Sequence, residues 1–222
     1  MAAQVESNLA AAVSAFERRD LAAAEELIAA DRRIDEFDRD IEMKVMALLA
    51  EGALPQEPLR EVMTVMKMAS ELERVGDLAK NIAKRTLVVS REEAPAPPTS
   101  GVVRMGRISL RQFSDVLNAY AARNLSAAKA VWGGDDEIDA LYNSVFQEIL
   151  LAMMADAKLV NACTHLVFIA KNFERVGDHA TNIAEAIHFL MTGSPIVEER
   201  PKGDETSTIA VSPPKHLRAS GG

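Results

Sequence analysis

The chain has 222 residues, 33 acidic against 25 basic side chains, a formal net charge of −8 at pH 7, and 48% hydrophobic but only 5% aromatic residues. An acidic chain without a basic stripe is unsuited to nucleic acid, whose phosphates must be neutralised by Lys and Arg, and no apolar run approaches the roughly 20 residues that cross a bilayer. Cys163 is the only cysteine and reads as a small buried hydrophobe; residues 1–19 lack a basic start followed by an apolar block, so a cytoplasmic chain without a signal peptide is expected.

Ala, Leu, Glu and Arg dominate and no stretch alternates with period two, so helices are predicted throughout and no sheet. The first helix carries the stripe Val5, Leu9, Val13 and Phe16. Asp20 is a good N-cap for the next segment, whose stripe is Ile34, Phe37, Ile41, Val45 and Leu48. Pro58 suits the first turn of a third helix. There Val65, Met68, Leu72, Val75, Ala79 and Ile82 alternate steps of three and four, the seam expected when helices pack nearly antiparallel. Residues 92–101, rich in proline and ending in glycine, break helices. The same order then returns: a helix in residues 103–122, a cap at Asn124, and the stripe Ile138, Leu141, Val145, Ile149 and Ala152. A second seam follows, of Leu166, Ile169, Phe173, Val176, Ala180, Ile183, Ile187 and Leu190. Methionines fall mostly at apolar positions and read as core filling. From Gly193 onward proline, glycine and serine occur without apolar period, and disorder is expected. The fold class is therefore all-α: two homologous antiparallel three-helix bundles related by pseudo-symmetry. They are expected at residues 1–91 and 102–192, with a Pro-rich linker at 92–101 and a tail at 193–222.

The pseudo-symmetry rests on an internal repeat. Glu73-Arg74-Val75-Gly76-Asp77-Leu78-Ala79-Lys80-Asn81-Ile82-Ala83 returns 101 residues later as Glu174-Arg175-Val176-Gly177-Asp178-His179-Ala180-Thr181-Asn182-Ile183-Ala184, with nine of eleven positions identical. Upstream, at an offset of 104, Asp31-Arg32-Arg33-Ile34-Asp35 corresponds to Asp135-Asp136-Glu137-Ile138-Asp139, and Asp20-Leu21 to Asn124-Leu125.

Glu73 and Asp77 are four apart and share a helix face, roughly 140–180° from the centre of the apolar seam. Glu174 and Asp178 repeat this, and Asn81 and Asn182 extend each row. Asp31 with Asp35, and Asp135 with Asp139, are also four apart, at the edge of their stripes. A solvated acidic face is the ordinary meaning of such charge, with Arg74 and Arg175 neutralising part of it. However, like charges at this spacing cost a helix about 0.2–0.5 kcal/mol per pair, and each half carries two pairs on neighbouring helices. Carboxylates converging on one patch repel one another unless a cation sits among them, and oxygen-only donors suit hard cations: magnesium, calcium, manganese or iron. Other chemistry is thin. His165, His179 and His188 lack zinc spacing and read as structural, and no Gly-rich phosphate loop is present. Gly76 and Gly177, inside helices, cost roughly 1 kcal/mol each relative to alanine; close helix approach and simple tolerance both remain open.

At the repeated Glu-Arg-Val-Gly-Asp segments the chain resembles the PhoU family, over about residues 5–192. The resemblance implies two pseudo-symmetric three-helix bundles whose motifs carry metal ions, iron or zinc in some members, beside the magnesium or manganese that the oxygen donors would also suit. It places ligands at Glu73, Asp77, Glu174 and Asp178, and, through a second acidic motif, at Asp31, Asp35, Asp135 and Asp139. It further implies regulation rather than catalysis. A homodimeric protein is expected at the cytoplasmic face of the phosphate ABC transporter, reaching the membrane only through its partners. Those partners are the transporter's ATPase subunit and a sensor histidine kinase, and the protein keeps the starvation regulon off when phosphate is plentiful. The loop at residues 153–161 lacks the proline usual in the family. A competing reading is a carboxylate-bridged di-metal oxidoreductase, but such sites need Glu-x-x-His pairs pointing into the bundle, and the acidic pairs here have no histidine at that spacing. A metal-free helical adaptor with an acidic docking face is the third.

Overall fold

The structure, a computed structural model, describes residues 1–30, 32–91, 97–134, 136–198, 206 and 208. The first half comprises α1 (Ala2–Arg18), α2 (Leu21–Ala30), α3 (Arg32–Ala50) and α4 (Gln56–Arg91). The second comprises α5 (Ser100–Ala121), α6 (Leu125–Gly133), α7 (Asp136–Ala155), a 3-10 turn (Ala157–Leu159) and α8 (Val160–Thr192). No strand occurs among the described residues. The predicted middle helix of each half thus corresponds to two segments, α2 with α3 and α6 with α7; Asp31 and Asp135, between them, lie outside the described residues. The expected linker and tail fall partly outside them too, and α5 begins at Ser100, inside the stretch expected to be linker.

The two halves turn the chain in the same way. Arg19 and Arg123 both adopt left-handed backbone, with φ of 54° and 46°, a conformation that ordinarily costs a side-chain-bearing residue about 1–2 kcal/mol. The following N–H reaches back into the preceding helix, Asp20 to the Ala15 carbonyl and Asn124 to the Ala119 carbonyl, each at 2.9 Å. The predicted caps then close the next helix: Asp20 Oδ1 accepts from the Ala23 N–H and Asn124 Oδ1 from the Ala127 N–H, each at 3.0 Å. The proline-free loop before α8 is closed by Asp156, whose carboxylate accepts from the Lys158 N–H at 2.9 Å.

The longest helices, α4 and α8, are central. Within the first half α4 is flanked by α1, α2 and α3, and within the second α8 is flanked by α5, α6 and α7. Across the halves α4 packs on α8 and α1 on α5, each on its own counterpart, as in a two-fold related pair. The seams are buried as predicted: Leu72, Val75, Ala79 and Ile82 of α4, and Leu166 through Ile187 of the second seam, belong to one apolar cluster that runs through both halves. Among the described residues no helix is long and apolar enough to cross a membrane.

One expectation fails in the first half. Only Met68 and Met105 are buried methionines, whereas Met43, Met46, Met63 and Met66 are exposed, as is Leu48 at the end of its stripe. The reason is neighbour count. α3 packs mainly on α4, so one narrow face of α3 is covered and Met43, Met46 and Leu48 stay outside it, while α7 packs on both α5 and α8 and buries Ile138, Tyr142, Val145 and Ile149.

Candidate functional site: two unequal acidic clusters

In the first half, α3 lies close against α4 at Gly76. A Cβ added there would sit 2.7 Å from Ile34 Cδ1, so glycine permits the approach. The approach carries Asp35 and Asp38 of α3 to Glu73 and Asp77 of α4. Burial pushes the Glu73 carboxyl above its ordinary range, Arg74 opposes this, and Asp77, Asp38 and Asp35 push it further up. Arg74 Nε, on an exposed side chain, lies 3.5 Å from Oε2 of the half-buried Glu73. Asp38 was not among the expected ligands. It stands three residues after Asp35, on the same α3 face, and that spacing is the signal that could have found it.

In the second half the counterpart is deeper. Asp139 is 4% and Glu174 5% exposed. The expectation that the motif carboxylates face outward is therefore corrected for Glu174; Asp139, expected at the edge of its stripe, is buried as well. A helical wheel drawn from one seam assumes one packing face, but α8 packs on α4, α5, α6 and α7 and has little outer face left. Burial drives the Glu174 carboxyl up to about 7; the Lys171 hydrogen bond and charge oppose this, and Asp178 and Asp139 add to it. Lys171 Nζ donates to Glu174 Oε1 at 2.8 Å and stands 5.1 Å from the Tyr142 ring centre. Glu174 Oε2 is buried without a hydrogen-bond partner.

The repeat makes the difference between the clusters legible. At the offset of 104, Tyr142 replaces Asp38, and at 101, Lys171 replaces Ser70. The first cluster thus gathers four carboxylates, and the second three carboxylates around an ammonium supplied by the chain itself. Asp31 and Asp135, also expected as ligands, lie outside the described residues. Among the described residues, no group of three or more His, Cys, Asp or Glu is drawn together closely enough to hold a metal ion.

Between the halves, Glu71 of α4 takes hydrogen bonds from α8: His179 Nδ1 lies 2.6 Å and Asn182 Nδ2 3.1 Å from Glu71 Oε2. Burial alone would raise the Glu71 carboxyl, but the hydrogen bonds from His179 and Asn182 and the nearby charges of His179 and Lys67 outweigh it and hold it below the ordinary value. His179 is structural, as the sequence implied. Glu71 went unnoticed because its counterpart in the repeat is Asn172 and no pattern marks it.

A model of the PhoU domain matches the chain twice, at residues 1–86 and 102–187. The chain is 43% identical over 202 residues to the phosphate-specific transport system accessory protein PhoU homolog of Caulobacter vibrioides, covering 91% of this chain and 88% of that one. It is 42% identical over 209 residues to the homolog of Rhizobium meliloti, covering 94% and 88%. Its fold is similar to the crystal structure of PhoU from Pseudomonas aeruginosa, with a TM-score of 0.83, 28% identity, and 87% of this chain and 93% of that one covered. The phosphate transport system regulatory protein PhoU from Streptococcus pneumoniae gives a TM-score of 0.78 at 29% identity, with 88% and 91% covered. Two tandem matches to the domain, the duplicated acidic motif and the shared fold lead to one conclusion: the chain belongs to the PhoU family.

Proposed function

We propose that this chain is a cytoplasmic accessory regulator of a phosphate-specific transport system. In this reading it docks on the transporter's ATPase subunit and on a sensor histidine kinase, and holds phosphate-starvation genes off while phosphate is plentiful. It acts through its surfaces and not as a catalyst. The observation that carries the reading is the pair of PhoU-domain matches spanning both halves, together with the accessory role for which the relatives are named. The di-metal oxidoreductase reading loses one of its objections, since Glu174 and Asp139 do point inward, but it still lacks histidine at the required spacing in the acidic pairs.

The metal part of the proposal rests on the donor set. Carboxylate oxygens alone suit hard cations, the first cluster is self-repelling, and the buried Glu174 Oε2 has no partner. Glu73, Asp77, Asp35 and Asp38 would hold a cation in the first half, drawn together around it, with Asp31, four residues before Asp35 in the sequence, as a further candidate. Asp139, Glu174 and Asp178, with Asp135, are the counterparts, where Lys171 already supplies positive charge. A bound cation would neutralise the clusters and fix α3 and α7 against the central helices.

The test is binding of the purified full-length chain to the ATPase subunit and to the cytoplasmic part of the kinase, with metal content measured before and after chelator. Saturable binding to both partners is expected. Failure to bind either one contradicts the regulatory reading, and absence of metal at every stage, including after reloading, leaves the adaptor reading in its place.

A further inference from the structure

Away from both acidic clusters, α4 and the end of α8 enclose a pocket of about 300 Å³ whose walls include Met63, Thr64 and Lys67 of α4, Glu185 and Phe189 of α8, and Ile196 beyond it. The size is at the lower end of the range for small-molecule sites. Thr64 is 2% exposed, and its hydroxyl oxygen has no hydrogen-bond partner. A helical threonine normally satisfies itself on the carbonyl one turn back, as Thr86 does on Ile82 at 2.9 Å. A buried hydroxyl left unpaired calls for an explanation, and a ligand head group supplies one.

We propose that this pocket binds a small neutral amphiphile, with its apolar chain among Met63, Phe189 and Ile196 and one uncharged head group hydrogen-bonded to the Thr64 hydroxyl, which is closed off from the pocket as it stands and turns toward it about χ1 on binding. The charge of the walls selects neutrality. Lys67 Nζ and Glu185 Oε2 lie 3.8 Å apart and cancel, so an anion or a cation meets repulsion as well as attraction there. The segment covering the pocket is set by a turn at the end of α8. Gly193 is left-handed, with φ of 76°. The Ser194 N–H donates to the Thr192 hydroxyl at 3.2 Å, and that hydroxyl donates to the His188 carbonyl at 2.8 Å. The only tryptophan, Trp132, donates from Nε1 to Glu185 Oε1 at 3.3 Å and so reports on the pocket wall.

The full-length chain, labelled at its methionine methyls, is titrated with 1-butanol, 1-hexanol and 1-octanol while Trp132 fluorescence and methyl NMR are followed. Affinity should rise about fourfold per added methylene. The Met63 methyl should shift, while those of Met43 and Met46, exposed on α3, stay in place. The isosteric Thr64→Val variant should lose about fivefold or more in affinity for octanol, and octanoate should bind more weakly than octanol. The proposal is overturned by absence of binding, by Met43 and Met46 shifting in step with Met63, or by affinity independent of chain length. Unchanged affinity in Thr64→Val, or octanoate binding as tightly as octanol, overturns it as well. Binding that appears only after residues 199–222 are deleted would assign the pocket to the chain's own tail instead.

Discussion

Replacing Glu174 by Gln should make the protein more stable at alkaline pH. The folded-state carboxyl sits at about 7 against an ordinary 4.5, so between those values the folded protein holds a proton that the unfolded chain has released. Stability from this group is full below pH 4.5, falls as pH rises through the window, and is lost above 7. At about 1.4 kcal/mol per pH unit, the charged form costs the fold up to about 3 kcal/mol. The side chain is 6% exposed, so solvent screening relieves little of this. Gln mimics the protonated acid. Its carbonyl can still accept from Lys171, while its amide group, placed where Oε2 now lacks a partner, sacrifices about 1 kcal/mol. The expected net gain is about 2 kcal/mol at pH 8, vanishing at about pH 5 and turning into a loss of up to about 1 kcal/mol at lower pH. Urea unfolding of both proteins across pH 4.5–8.5, in chelator, measures it. A Gln variant less stable than wild type at pH 8, or a difference that does not change with pH, refutes the reasoning.

Gly76→Ala should destabilise by about 1 kcal/mol net, because the overpacking of its Cβ against Ile34 Cδ1 outweighs the roughly 1 kcal/mol that alanine gains in helix propensity, and Ile34→Val, which removes that atom, should reverse the loss in a double-mutant cycle of unfolding free energies. Glu71→Gln should cost about 1–3 kcal/mol at pH 7 by weakening the His179 and Asn182 bonds. Because the Glu71 carboxyl is held low, the difference should shrink as pH falls below about 4.5, as measured in paired denaturant titrations. Lys171→Met should convert unequal clusters into more equal ones: terbium luminescence is expected to show one tighter class of site in wild type, abolished by Glu73→Gln with Asp77→Asn, and a second class appearing in the Lys171 variant. Two equal classes in wild type would contradict the asymmetry.

Much of the fold was legible because it depends on periodicity. The three-and-four steps of Leu72, Val75, Ala79 and Ile82 fix which face of α4 is buried, and the caps Asp20 and Asn124 mark where helices restart. Depth was not legible. Glu73 and Glu174 are identical in local sequence, yet their burial differs with the helices packed against α4 and α8, which no local pattern reports. The exposed methionines of α3 arise the same way, since a stripe states what can be buried and the number of neighbours decides what is. The unequal charge of the clusters was latent in Tyr142 and Lys171, two positions where the halves had diverged; Lys171 stands one turn before Glu174 on α8, whereas only the packing of α7 on α8 brings Tyr142 to them. Glu71 was not legible, because the repeat puts Asn172 at its counterpart and its partners come from the other half.

The central claim, that the chain regulates phosphate signalling, is tested most directly by a phosphate-starvation promoter fused to a reporter in a strain lacking this protein, grown with ample phosphate. The account expects the promoter to be on in the deletion strain and off again when the wild-type chain is restored. A deletion strain as fully repressed as its parent would contradict it.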